Sequence, residues 1–198
     1  MSCEKTYTKL LIVAVIFLVI SAIFAAQRFY KQKQHPPPPD NTHIHLILKQ
    51  IENLEQTTEG QALETQWAYW GNDSLHGFEL QRLSSEARLY FYFSQKVCPP
   101  CILETVDLIK KYVSDYEQND TIVFISPDWQ QRLRNDCYGK RLLTLQRGTL
   151  DIALEEEDAP FFFRISENME LTSVHIVTKV DFVRTEEYLR ASLNVKMP

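Results

Sequence analysis

The sequence predicts an α/β fold preceded by one N-terminal transmembrane helix, and three observations lead to this prediction. An uncharged apolar run of about 17 residues, Leu10 to Ala26, lies near the N-terminus. From Arg88 onward, short continuous apolar segments alternate with segments of helical periodicity. Cys98 and Cys101 form a Cys-x-x-Cys pair where the first apolar segment gives way to a helical one. That placement is typical of thiol–disulfide chemistry.

Composition narrows the class of protein. The 198 residues are 44% hydrophobic, which is enough for one globular domain with extensions. The net charge of −5 and the lack of a Lys/Arg cluster in the globular part argue against nucleic-acid binding. The four cysteines, Cys3, Cys98, Cys101 and Cys137, are too few and too unevenly spaced for a disulfide scaffold.

The N-terminal region is predicted to anchor the domain. We expect residues 1–9 to be a cytoplasmic N-terminus, residues 10–27 a transmembrane signal-anchor and residues 28–41 a Pro-rich linker. Pro36 to Pro39 are four prolines in a row, which form a stiff polyproline II spacer. A cleaved signal peptide is the alternative. It is less favoured because the apolar run is long for such a peptide and Phe24-Ala25-Ala26 is a poor cleavage site.

Two arguments about orientation oppose each other. Arg28, Lys31 and Lys33 follow the span and outnumber Lys5 and Lys9 before it, which favours a cytoplasmic domain. A Cys pair in a chain without a nicotinamide, flavin or phosphate-binding motif favours the other side. We expect a single-pass protein of the inner membrane whose catalytic domain faces the periplasm.

Residues 42–70 are predicted to be a helical stalk or an N-terminal extension. The helix itself is expected over Thr42 to Thr57, where apolar residues recur at helical spacing. These residues are Ile44, Ile47, Leu48, Ile51 and Leu54. From Trp67 to Leu83 we expect a turn and then a short strand around Phe78 to Leu80.

The domain proper, residues 71–198, is predicted from the order of its segments. Strands are expected over residues 88–93, 121–126, 141–145, 161–165 and 172–178, and helices over 101–116, 128–138 and 185–194. Asp128 and Thr185 are the expected N-caps of the second and third of these helices. Along the chain these elements follow the order β, α, β, α, β, β, β, α, so that two strand–helix pairs precede a hairpin-containing end of the domain.

The chemistry expected of the Cys pair follows from its place at a helix start. The positive end of the helix stabilises a Cys98 thiolate, and Cys101, one turn along, can resolve a mixed disulfide. Pro99 and Pro100 remove two backbone donors, from which we infer a more reducing pair. A redox-inert structural bridge remains an alternative. Half of a zinc site is less favoured because no second Cys-x-x-Cys or His-x3–5-His follows.

These residues resemble the thioredoxin fold. The Cys pair opens the first helix after a strand, and Ala159-Pro160 precedes Phe161-Phe162-Phe163. Leu75 to Phe93 resembles the start of the domain in membrane-anchored thioredoxin-like thiol–disulfide oxidoreductases of the bacterial envelope. The resemblance implies that Pro160 follows a cis peptide bond and faces the Cys pair. It also implies disulfide-containing envelope proteins as substrates and a membrane electron donor, with no cofactor or metal.

Two residues depart from the family pattern. Val97 stands where the family has an aromatic residue, and Tyr92 stands where thioredoxin has a buried carboxylate. Both departures favour the main rival, a redox-inert thioredoxin-fold interaction module of the envelope. Metal delivery by the two thiols is a third and less favoured function.

The remaining candidate residues have simpler interpretations. Cys137 is expected to be an inert apolar residue, and His43 and His45 a solvated helix start. The acidic run Glu155 to Asp158 precedes Pro160 and is expected to border the active site, where it would favour basic partners.

Overall fold

The computed structural model describes residues 41–84 and 87–193. The chain divides into a unit up to His45, of which only the start of one helix is described, and a unit from Leu46 onward. Within the described ranges no helix has both the length and the apolar character to cross a bilayer. The predicted span and the proline linker lie outside those ranges.

The helices and strands follow the predicted order, except that the helix predicted over residues 128–138 is missing. The three helices of the described chain are α1 (Asn41–Thr58), α2 (Pro99–Tyr112) and α3 (Phe182–Ser192). The strands are β1 (Trp67–Trp70), β2 (Phe78–Glu79), β3 (Leu89–Tyr92), β4 (Ile122–Ile125), β5 (Leu142–Leu145), β6 (Phe161–Ile165) and β7 (Leu171–Ile176). The α/β class is confirmed.

The strands form one seven-stranded sheet in the order β2-β1-β5-β4-β3-β6-β7. β3, β4 and β5 run parallel, whereas β6 is antiparallel to β3 and β7 is antiparallel to β6. The C-terminal end of β3 therefore lies at the same end of the sheet as the start of β6 and the end of β7. The Cys pair lies at that end of the sheet.

The central strands are buried on both faces, as their continuous apolar sequence predicts. Alternate side chains of β3 enter two separate cores. Tyr90 stacks on Phe163 in one core at 5.1 Å between ring centroids, and Phe91 stacks on Phe162 in the other at 4.7 Å. Helix α1 packs against the first core, and α2 and α3 pack against the second. The sheet thus has a helical layer on each face.

Helix α1 protects the edge strand β7. The Glu55 carboxylate accepts a hydrogen bond from the Ile176 amide at 2.7 Å. The Glu59 carboxylate accepts from the Ser173 and Val174 amides at 2.7 and 3.0 Å. An uncovered edge strand offers such amides to other chains. The predicted helix of residues 42–57 is therefore confirmed, and it serves as a cover for the sheet edge.

The predicted helix over residues 128–138 is wrong. The structure has a single 3₁₀ turn there, Gln131–Leu133. Tyr138 and Gly139 have φ values of +53° and +86°, which end any right-handed helix. The Arg134 side chain is drawn inward, where it donates to the Pro127 carbonyl at 2.6 Å. Tertiary contacts thus override the helical pattern of this segment.

Several predicted boundaries shift for local reasons. β1 was not predicted as a strand, yet it pairs with both β2 and β5. Helix α2 begins at Pro99 and ends at Tyr112, earlier than the predicted residues 101–116 at both ends. Helix α3 begins at Phe182 because the Asp181 carboxylate accepts the Arg184 amide at 3.1 Å. The predicted N-cap, Thr185, is instead buried inside the helix.

Candidate active site

The loop that leads to the Cys pair is fixed to the neighbouring strand. The Phe93 amide donates to the Ile125 carbonyl at 3.1 Å, which extends the pairing of β3 with β4. The Asp128 carboxylate then accepts the Gln95 amide at 2.9–3.0 Å. Asp128 was predicted to cap a helix of its own, and it holds this loop instead.

Cys98 occupies the N-cap position of α2, and Pro99 and Pro100 are its first two residues. Proline suits these positions because their amides have no partner within a helix. Cys98 is exposed and Cys101 is half-buried, and both thiols are free. The Cys101 amide donates to the Cys98 carbonyl at 3.0 Å, which closes the first turn. The predicted place of Cys98 at the start of a helix, with Cys101 one turn along, is confirmed.

A lysine that the sequence analysis did not predict completes this site. The Lys179 ammonium donates to the Cys98 sulfur at 3.1 Å, although the two residues are 81 positions apart. Lys179 follows β7, which ends at the same end of the sheet as the strand that leads to Cys98. Because the segment has no distinctive motif, only the sheet topology could have indicated this contact.

The surroundings of the two thiols shift their pKa values in opposite directions. The Lys179 hydrogen bond is the main cause that lowers the pKa of Cys98, with a smaller contribution from the Cys101 amide. Burial raises the pKa of Cys101, and the nearby Lys179 charge partly opposes that rise. Reciprocally, the hydrogen bond to Cys98 raises the pKa of Lys179. The site therefore favours a thiolate at Cys98 and a thiol at Cys101.

Pro160 lies directly before β6, at the end of the sheet that carries the Cys pair. The predicted cis peptide bond before it is wrong. The chain from Asn41 to Leu193, where described, contains no cis peptide bond. Pro160 is buried, and its carbonyl accepts the Val177 amide at 2.8 Å. Proline fits the start of a strand because its missing N–H removes no ladder hydrogen bond there. X–Pro bonds prefer the trans form by about 0.5–1 kcal/mol, and Ala159–Pro160 has that preferred form. The next residue, Phe161, pairs with Tyr92 of β3.

A groove of about 230 Å³ lies beside the Cys pair. Its apolar lining comes from the motif and from the loop after β4. These residues are Val97, Pro99, Ile102, Trp129, Leu133 and Tyr138. Gln95 and Gln130 add two amide side chains to the lining. The segment that was predicted to be a helix thus forms one wall of a groove at the active site.

The other candidate residues are buried, hydrogen-bonded to the backbone, or exposed on helix α1. Burial raises the pKa of Cys137 to about 12, which makes this thiol unreactive at neutral pH. Tyr92 is buried, and burial together with the Glu155 carboxylate raises the pKa of its hydroxyl. Glu155 also accepts the Leu150 amide at 2.9 Å, so this member of the acidic run stabilises a turn. His43 and His45 are exposed.

Metal binding finds no support in this part of the chain. Among the described residues, no three His, Cys, Asp or Glu side chains cluster as metal ligands. Cys3 and His35 lie outside the described residues. The half-site for zinc considered above thus gains no partner ligands from residues 41–84 and 87–193.

We expect alkylation to label the cysteines in the order Cys98, Cys101, Cys137. A lowered pKa makes Cys98 a thiolate at a pH where Cys101 and Cys137 are still thiols, and the thiolate is the reactive form. Brief treatment of the reduced protein with iodoacetamide at mildly acidic pH, followed by peptide mass spectrometry, measures this order. Earlier labelling of Cys101 or Cys137 would overturn the assignment of Cys98 as the attacking thiol.

Comparisons with known proteins give structural neighbours. No protein-family model matches the sequence, and no curated protein matches it. A solved structure assigned as the thiol:disulfide interchange protein DsbE of Chlorobium tepidum is 12% identical, with a TM-score of 0.44 over 68% of this chain and 97% of that one. A thioredoxin-like protein of Bacteroides caccae is 15% identical, with a TM-score of 0.41 over 78% of this chain and 57% of that one.

A third neighbour is BsSco, a member of the Sco family of cytochrome c oxidase assembly proteins, solved in a study of its disulfide switch. It is 12% identical, with a TM-score of 0.39 over 69% of this chain and 96% of that one. These three neighbours are described as a thiol:disulfide interchange protein, a thioredoxin-like protein and a cytochrome c oxidase assembly protein with a disulfide switch. Identities and TM-scores this low carry no argument about activity, which depends on the residues of the site.

Proposed function

We propose that this chain is a membrane-anchored thioredoxin-like protein that reduces disulfides of envelope proteins through Cys98 and Cys101. The contact between the Lys179 ammonium and the exposed Cys98 sulfur, at 3.1 Å, is the observation that carries the proposal. A structural disulfide needs no cation beside one of its sulfurs. A cation beside a nucleophilic thiol favours the thiolate, which is the form that attacks.

The geometry supports a two-step exchange. The Cys98 thiolate attacks one sulfur of a substrate disulfide, forms a mixed disulfide and releases the other substrate sulfur as a thiolate that takes up a proton. Cys101 then loses its proton and attacks the Cys98 sulfur. This second attack forms the Cys98–Cys101 disulfide and releases the remaining substrate sulfur. The substrate disulfide is reduced by two electrons, and the dithiol of the protein is oxidised by two.

The groove beside the motif suits a peptide substrate. Its apolar wall, which includes Trp129 and Tyr138, could receive a side chain that flanks the disulfide, while Gln95 and Gln130 offer hydrogen bonds to the peptide. The exposure of Cys98 leaves room for a folded partner to approach. These features favour protein disulfides over small disulfide compounds as substrates.

The proposed location depends on the sequence. The apolar run of residues 10–27 and the proline linker would hold the domain outside the cytoplasm, where electrons must come from a membrane donor. A reporter enzyme that is active only outside the cytoplasm, fused after Pro198, should show activity. Activity of a cytoplasm-only reporter instead would show that Arg28, Lys31 and Lys33 determine the orientation.

The activity is tested by insulin reduction with the full chain in detergent micelles. We expect precipitation of the insulin B chain well ahead of the reaction with dithiothreitol alone. A rate equal to that of dithiothreitol alone would refute exchange on proteins. It would favour the redox-inert interaction module of the envelope.

The direction of electron flow is tested by the reduction potential of the Cys98–Cys101 couple. Pro99 and Pro100 withhold donors from the thiolate, which makes the couple more reducing, whereas Lys179 stabilises the thiolate and makes it less so. A potential of roughly −270 mV, near that of thioredoxin, would support the reducing direction. A value near −120 mV would instead indicate an oxidant.

A further inference from the structure

Lys179 lies in a short segment whose backbone is held by hydrogen bonds on both sides of the lysine. The Val177 amide donates a hydrogen bond to the carbonyl of Pro160, which directly precedes β6. The Val180 amide donates to the Thr178 hydroxyl at 3.2 Å. Asp181 then caps α3. The backbone on both sides of Lys179 is therefore fixed, and its exposed side chain extends from this segment to the Cys98 sulfur.

The start of α2 explains why a cation is useful here. A helix normally presents several unpaired amides at its first turn, and these stabilise a thiolate at the N-cap. In this helix, Pro99 and Pro100 have no N–H. The Cys101 amide donates to the Cys98 carbonyl and lowers the pKa of the Cys98 thiol less than Lys179 does. The ammonium group of Lys179 supplies hydrogen-bond donors where the prolines removed them.

We propose that Lys179 serves both sulfurs in turn, first holding the Cys98 thiolate and then, in the mixed disulfide, the thiolate of Cys101. The proposal rests on the exchange function proposed above. Once Cys98 is bonded to substrate its sulfur carries no charge, so the ammonium loses its first partner. A lysine has three donors on a flexible stem and can turn to a second sulfur nearby.

Two observations support a role at Cys101. Cys101 lies one helical turn from Cys98, whose sulfur is 3.1 Å from the Lys179 ammonium, so rotation of the lysine side chain can bring a donor towards the second sulfur. The Lys179 charge also opposes the rise that burial causes in the pKa of the Cys101 thiol. The residue six positions before Cys98 is Tyr92, which burial keeps protonated, so this position offers no carboxylate to assist Cys101. A cation that stabilises the product thiolate lowers the cost of deprotonating Cys101 without a dedicated base.

The steps balance with Lys179 as an unreacted cation. Cys98 and substrate exchange one S–S bond in the first step, and the released substrate thiolate takes a proton from solvent. In the second step the Cys101 proton passes to solvent, and the Cys101 sulfur displaces the substrate from Cys98. Lys179 keeps its proton throughout, and no further oxidant or reductant enters this half-reaction.

The test compares Lys179→Met and Lys179→Arg in the full chain, both in a Cys3→Ser background. Lys96→Met is the matched control, because Lys96 is an exposed lysine two residues before Cys98. The first measurement is the rate of Cys98 alkylation by uncharged iodoacetamide as a function of pH. We expect Lys179→Met to react about tenfold more slowly near pH 6, Lys179→Arg to retain most of the rate, and Lys96→Met to change it less than about twofold.

The second measurement separates the two sulfurs. The uncharged disulfide 4,4′-dithiodipyridine releases one thiopyridone when Cys98 attacks and a second when Cys101 resolves the adduct. We expect both phases to slow at least about fivefold in Lys179→Met and to recover in Lys179→Arg. Slowing of the first phase alone would refute the role at Cys101, and unchanged phases would refute any role for Lys179. Failure of insulin reduction alone, with both phases intact in the wild type, would refute the proposed function and not this role.

Discussion

Replacing Cys101 by serine should trap the substrate on Cys98. The mixed disulfide is normally resolved by Cys101, which lies one helical turn away and attacks within the same molecule. Such intramolecular attack has a very high effective concentration, so its loss should slow resolution by about two orders of magnitude or more. The adduct should be visible on a non-reducing gel after the Cys101→Ser protein is mixed with a disulfide-containing envelope extract.

Three variants make this experiment selective. Cys98→Ser should form no adduct and should lose insulin reduction, because the attacking sulfur is gone. Cys98→Ser/Cys101→Ser should behave in the same way. Cys137→Ser should exchange disulfides as the wild type does, because Cys137 is buried and burial raises its pKa to about 12. An adduct that forms equally well on Cys98→Ser would place the nucleophile elsewhere and contradict the site described above.

The site was predictable where one local segment determines it. A strand, a turn and a helix around Cys98 and Cys101 lie within a short stretch of chain, and local pattern is enough to place an exposed thiol at a helix start. Continuous apolar segments likewise identified β3, β4 and β6, because strands buried on both faces leave that signature.

The rest depends on contacts between distant residues. Lys179 reaches Cys98 only because β6 and β7 fold back beside β3, and a lone lysine in a loop gives no signal of this. The helical pattern after Asp128 failed for the same reason. Asp128 is used by the loop that precedes the Cys pair, and Arg134 is drawn to the Pro127 carbonyl. In each case a tertiary contact overrides a local preference.

We expect the largest change in stability when a contact between α1 and the edge strand β7 is removed. Glu55 is buried, accepts the Ile176 amide and pairs with Arg184. The neighbouring His175 is also buried, and burial, with a smaller effect of Arg184, lowers its pKa to about 3, so it is neutral at pH 7. Glu55 is therefore the carboxylate that neutralises Arg184 and satisfies the edge amide.

We expect Glu55→Ala to lower the free energy of unfolding by about 2–4 kcal/mol, because it leaves a buried amide and a partly buried guanidinium without their acceptor. Glu55→Gln keeps an acceptor for Ile176 but loses the charge, so its cost should be smaller. Glu52→Ala is the matched control: Glu52 is exposed on the same helix, and its removal should change stability by less than about 0.5 kcal/mol. Urea unfolding of the full chain in detergent micelles measures all three. Equal midpoints for Glu55→Ala and Glu52→Ala would show that the Glu55 contacts do not stabilise β7.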